Sequence, residues 1–309
     1  MSPTTTYTVL PFDTVTASPP ELEESGRFQQ VLAAERVPED PPMSIEALIS
    51  RMSTTTPSEW RAMFVARDAA GALVGMGFVG RHLNEPENAH IRWCEIGVHP
   101  EHRRGGLGRA LFGALVGACE GQSEDMTFMG QTSDRVPSGD AFCAALGAEA
   151  GLGMKTNQLD LATVDRGTVQ AWAARTAPGY RLELVTERMP DELMDAALEA
   201  ANGMNDAPMG TMRFAEERMT ADQVREREAW ARTAGMVRRT IVAVHEATGA
   251  GAGFTNLSYD PRIPHVVQQG GPAATSGPRG PCRRQRVDTR LRPRRPPHRP
   301  SGPSAPAGG

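Results

Sequence analysis

The chain has 309 residues, 39% of them apolar, and a net charge of −4, which suffices for two domains with ordinary cores. Four cysteines, Cys94, Cys119, Cys143 and Cys282, show no CxxC spacing, and seven histidines form no HExxH cluster, so neither a disulfide framework nor a metal site is expected. The start MSPTTTYTVLPFD has no basic or apolar leader pattern and no stretch approaches a membrane span, so a cytoplasmic protein with no membrane partner is expected.

In chain order, Tyr7 to Phe12 reads as a strand. Glu21 to Arg36 and Ser44 to Met52 read as helices, the second with Ser44 as its cap. Arg61 to Asp68 and Leu73 to Gly80 form a hairpin through the turn AAGA, and Ile91 to Val98 is a further apolar strand. It runs through HPEH and RRGGLG into a helix whose Leu107, Ala110, Leu111, Ala114, Leu115 and Ala118 make one apolar stripe. Gly113 and Gly117 interrupt that helix at about 1 kcal/mol each, and their spacing suggests a place where a strand or ligand packs close. A strand over Met126 to Gln131, a short helix over Gly139 to Leu146 and a strand over Gly153 to Leu161 complete the first half.

The loop at the head of the stripe carries the chemistry. Gly105, Gly106 and Gly108 lack a Cβ, so a bulky ligand can approach the main chain, and the helix behind them offers its unpaired amides and positive dipole end. Arg103, Arg104 and Arg109 add guanidinium groups suited to phosphate oxygens. A phosphate or pyrophosphate is the expected occupant. The loop has no Lys, so it is not a Walker loop, and Leu111 stands where a dinucleotide fingerprint needs a third small residue. What remains is Arg-x-x-Gly-x-Gly, Arg103, Gly106 and Gly108, after Val98 and Pro100 at a strand end.

That pattern closely resembles the acetyl-CoA signature of the GNAT family of N-acetyltransferases. The element order over the first 160 or so residues resembles the family as well. The resemblance implies a mixed α/β fold, a mostly antiparallel twisted sheet flanked by helices, and transfer of an acetyl group from acetyl-CoA, the co-substrate, to an amine by direct attack. It assigns the cofactor to Ile96, Gly97 and Val98 through their main chain and to Arg103, Arg104, Gly105, Gly106, Leu107, Gly108 and Arg109.

The proton-handling groups depart from the family. Where relatives carry an early carboxylate in the strand, this chain has Arg92, which cannot accept a proton. Glu95 is the candidate base, although strict alternation puts it on the opposite face unless a bulge re-aims it. His82, Glu85, Glu87 and His90 are further candidates near the mouth. The family's Phe-Tyr pair is here Phe142-Cys143, which leaves Cys143 or solvent to protonate the departing thiolate. Ser133 and Asp134 are candidates for contact with substrate or cofactor.

A second signal is an internal repeat. RAMFVARDAAGALVG, Arg61 to Gly75, aligns without gaps on RTIVAVHEATGAGAG, Arg239 to Gly253, at an offset of 178. A strand over Tyr180 to Glu187 and helices over Asp191 to Met204 and Thr220 to Ala234 precede the second hairpin, as in the first half. This resembles a tandem GNAT protein with an incomplete second repeat, organised as a catalytic domain (1–162), a linker helix (163–178, Asp165 to Thr176), a partial second domain without the loop (179–269) and a tail (270–309). The tail holds nine Pro, seven Gly and nine Arg in forty residues and carries +8 against −12 for the rest. Such a segment cannot bury a core.

Two accounts of the tail compete. It is a basic arm for nucleic acid or an acidic partner, or it is the product of a shifted reading frame, the account favoured because the break falls inside a predicted domain and no aromatic residue offers base stacking. A nucleic-acid partner is therefore not expected, and on this account the partial domain exposes apolar surface. The acceptor is expected to be a small-molecule or peptide amine, and oligomeric state is unmarked. The alternative function is a catalytically weak acyl-CoA-binding or regulatory module, which Arg92, Cys143 and the broken second half favour.

Overall fold

The computed structural model describes residues 6–122, 125–206, 211–212, 214–216, 218–270 and 272–275. The tail expectation falls, from Ser276 onward, outside the described residues. Met1–Ser276 forms one compact unit that contains two β-sheets. Among the described residues no helix is long and apolar enough to cross a membrane.

The first sheet is built from β1 (Thr8–Pro11), β2 (Glu59–Arg67), β3 (Leu73–His82), β4 (Ile91–Val98) and β5 (Thr127–Met129), in that spatial order. All pairs are antiparallel except β4–β5. Helix α1 (Pro19–Arg36) starts at Ser18, whose amide and hydroxyl both donate to Glu21, at 2.9 and 2.6 Å. Helix α2 (Ile45–Ser53) starts at the expected cap, the Ser44 hydroxyl accepting from the Ala47 amide at 3.0 Å. These two helices cover one face of the sheet, where Phe12, Phe28, Met52, Val65 and Met76 form a core cluster.

Helix α3 (Leu107–Ala118) covers the other face. Its buried side chains are Leu107, Leu111 and Leu115, followed by Cys119, so the stripe is one residue wide; Ala110 is exposed and Ala114 half-buried. Leu111 and Leu115 lie 3.0 and 3.3 Å from where side chains at Gly75 and Gly77 would begin, so these bare strand positions let the helix settle onto the sheet. Gly113 and Gly117 play no such part. Both face open space, which corrects the expectation of a close approach there.

Helix α4 (Ser138–Ala145) follows β5. The expected strand over Gly153 to Leu161 does not form, and residues 148–160 belong to no regular element. The reason lies in its parity. Leu152 and Met154 would face one way and Leu159 and Leu161 the other, with polar residues between, so no single apolar face spans the segment. Its neighbour β5, three residues long, offers little ladder to pair with.

After α5 (Arg166–Ala173) the second sheet comprises β6 (Tyr180–Thr186), β7 (Val237–His245) and β8 (Gly251–Tyr259), with β9 (Gln268–Gln269) and β10 (Ala273–Ala274) both pairing with β8. Helices α6 (Asp191–Asn202) and α7 (Ala221–Thr233) lie between β6 and β7 in the chain, and α6 buries Met194 and Ala197 against Val185, Val242 and Val244. The repeat is visible in detail. Ala66 faces Gly75 and Ala243 faces Gly253, each hairpin has a bulge beside that pair, and Gly71 and Gly249 hold φ of +86° and +73° at the turns. The second turn is one residue longer, with the His245 amide bonded to the Ala250 carbonyl where Asp68 bonds to Ala72. Pairing also runs past Gln269: the Thr275 amide reaches the Ala252 carbonyl at 3.0 Å, as the His99 amide reaches Val74 at 2.9 Å.

Candidate active site

The site grows out of the end of β4. The β4–β5 ladder stops at Trp93–Met129, while β4 runs on to Val98 in unbroken register with β3. Its outer edge beyond Trp93 therefore has no strand beside it among the described residues. The His99 amide bonds towards β3, so by antiparallel alternation the main-chain groups of Ile96 and Val98 point into that open edge.

The loop completes the site. Gly106, the N-cap of α3, sits at φ +86° with open space above it, a conformation that a side chain would strain. The amides of Arg104, Gly105, Gly106, Leu107 and Gly108 meet no acceptor among the described residues. Five consecutive free N–H groups at the positive end of a helix make a nest of the kind that suits an anion.

The three arginines divide their roles. Arg103 donates through Nε to the Val98 carbonyl at 3.1 Å and through both terminal nitrogens to Glu35 of α1, at 2.6 and 2.5 Å, so its guanidinium braces the loop. That hydrogen bond holds the Glu35 carboxyl below its ordinary range and raises Arg103. Arg109 donates to the Ala145 carbonyl at the end of α4 at 2.9 Å. Arg104, exposed and at φ +66°, is the loop guanidinium without a partner among the described residues. Tyr7 Oη lies 3.1 Å from a Cβ at Gly105, and the Phe142 ring lies 3.1 Å from one at Gly108, so both glycines are walled by aromatic groups. Neither Glu35, 68 residues from its partner, nor Tyr7 carried a local signal in the sequence.

The candidate base and acid lie apart. Glu95 is exposed and stands opposite Phe78 in an unbroken ladder, so no bulge turns it. Its face is shared with Gly97, which abuts Leu32 and Phe28 of α1. Cys143 is half-buried on α4 and close enough to Cys94, on the α3 face, to raise that thiol. Burial, then the charge of Asp140, raises Cys143 itself, and burial above all pushes Cys94 up to about 11. Both are thiols at neutral pH.

Arg92 is wholly buried and donates to the Ala89 and Ile91 carbonyls at 2.7 and 2.9 Å, with burial lowering its pKa. Glu85 is buried, His90 half-buried, and His82 and Glu87 exposed. Ser133 accepts from the Arg135 amide at 3.3 Å, and Asp134 is exposed. On the Glu95 face Trp93 packs against Phe214 from the second half, ring centroids 6.2 Å apart, and the Asn88 amide exchanges two hydrogen bonds with the main chain of Ala215.

Comparison with known proteins agrees with this geometry. Residues 59–141 match the family model described as an acetyltransferase (GNAT) domain, a span that holds β2 to β5, the loop and the first half of α4. No curated protein sequence matches. Among solved structures, a tandem GNAT protein from the clavulanic acid biosynthesis pathway is 22% identical, with 89% of this chain and 81% of that one covered at a TM-score of 0.64. A GCN5-related N-acetyltransferase from Sphaerobacter thermophilus is 13% identical over 87% of this chain and 76% of that one, at a TM-score of 0.54. At these identities the likeness speaks for the fold. Residues 59–141 thus carry an acetyltransferase (GNAT) domain, and the likeness to a tandem GNAT protein in fold extends over both sheets.

Proposed function

We propose that the first sheet transfers an acetyl group from acetyl-CoA to a primary amine of a small molecule or peptide. The observation that carries this reading is the run of five free amides from Arg104 to Gly108 beside the open edge of β4. The nest takes the pyrophosphate, with Arg104 free to add a cation, while Arg103 and Arg109 hold the loop to α1 and α4. The Ile96 main-chain groups and the Val98 amide then take the pantetheine arm as an added strand would, the Val98 carbonyl being held by Arg103. The thioester supplies an activated acyl carbon and a thiolate leaving group. Glu95 takes the proton of the attacking ammonium on the α1 face, directly or through water. Cys143, protonated at neutral pH, gives a proton to the thiolate and recovers it from solvent.

The test is release of free thiol from acetyl-CoA across a panel of primary amines. We expect release with at least one amine and its loss in Glu95→Gln. Binding of acetyl-CoA with no release on any amine supports an acyl-CoA-binding module instead. Gly106→Glu adds bulk and charge at a φ of +86° in the nest, and acetyl-CoA affinity is expected to fall by about a hundredfold or more. Unchanged affinity in that variant, measured by calorimetry, removes the site assignment.

A further inference from the structure

We infer that the second sheet carries a self-association surface, covered in solution by the same surface of a second copy of this chain. In the first sheet, Val9, Phe64 and Val79 face α3. The pairing registers put Leu182, Ile241 and Leu257 at the corresponding places of the second sheet. Val79 is 0% exposed, whereas Leu182 is 67%, Leu184 62%, Leu257 42% and Ile241 38% exposed. These side chains stand on neighbouring strands, Leu184 beside Ile241 and Leu257 beside Arg239, and form one continuous apolar face. The opposite face of the same sheet is filled by α6.

Among the described residues no element is laid over that face, as the exposure of Leu182, Leu184 and Leu257 shows. In the first sheet the covering helix begins eight residues after His99, and Thr275 makes the hydrogen bond equivalent to that of His99. Beyond Thr275 the sequence offers Val287 and Leu291 as its only large aliphatic residues, among nine Arg and eight Pro. No amphipathic helix can be written with that composition.

A second copy fits because the face is complementary to itself. Arg239 stands at one end, and the Tyr180–His245 ring pair, centroids 5.2 Å apart, stands at the other. Two faces stacked about 10 Å apart with strands antiparallel bring Arg239 over Tyr180 of the partner subunit, and the reverse contact follows by two-fold symmetry. Leucine and isoleucine side chains fill the middle.

Sedimentation velocity of the full chain over a concentration series tests this. We expect a monomer–dimer equilibrium whose dissociation constant rises by about a hundredfold in Leu184→Glu and in Leu257→Glu, which charge the face from two different strands. Both positions are exposed, and acetyl-CoA binding at the first sheet reports that each variant is folded. A monomer at every concentration, open-ended association, or a dimer that neither charge disturbs overturns the proposal.

Discussion

Glu35 shapes the candidate site through Arg103 alone. Its carboxylate grips Arg103 with two hydrogen bonds and so fixes where β4 hands over to the loop. Because that grip lowers the Glu35 pKa below its usual 4.5, the stability it adds is full at neutral pH and is lost as pH falls through the depressed value. Thermal melts of wild type and Glu35→Gln should differ by about 1 kcal/mol at pH 7, the size allowed for a solvent-screened pair, and converge only in acid below the ordinary carboxylate range. A gap that persists in acid would locate the stabilisation elsewhere. The sequence showed Arg103 as a phosphate ligand because its neighbours are glycines, and nothing local showed that its charge was already taken. Free amides, by contrast, were legible: an N-terminal helix turn behind a glycine loop has no internal acceptors by construction.

Among the elements, those with a strong period or a marked cap were readable from the residues alone. β4 spans Ile91 to Val98 as its mostly apolar run suggests, and α2 begins behind Ser44. The strand expected over Gly153 to Leu161 failed because the apolar positions change parity between Met154 and Leu159, a flaw that sheet register makes decisive. α3 shows the limit differently, since its glycines fit a packing motif and yet face solvent. Gly113→Ala and Gly117→Ala should therefore each raise stability by about 0.5–1 kcal/mol, read as a higher urea midpoint at constant slope. Any loss of stability would place an unseen neighbour against that side of the helix.

At the scale of the whole molecule the two sheets share more than a connecting chain. Ser58 donates its amide and hydroxyl to Glu226, at 2.8 and 2.5 Å, Trp230 donates to the Thr54 carbonyl at 3.3 Å, and Ser50 to that of Ala234 at 3.1 Å. Asp260, almost wholly buried, is bound by Arg262 and lies 3.7 Å from Arg51 of α2, and the Arg262 hydrogen bond depresses its pKa. Calorimetry should accordingly record one cooperative transition. Trp230→Ala, which removes a half-buried ring from this seam, should lower it as a unit by about 2–3 kcal/mol. Two separate transitions would mean that the sheets fold independently. One earlier detail bears on protein engineering. Because the Thr275 amide closes on Ala252 in the same stitch that ties His99 to Val74, the second sheet offers a splice point already in register. A segment copied from Pro100 to Cys119 and joined after Thr275 would meet Gly253 where Leu111 packs on Gly75 but Thr255 where Leu115 packs on Gly77, so seating a second cradle on this sheet calls for Thr255→Gly as well.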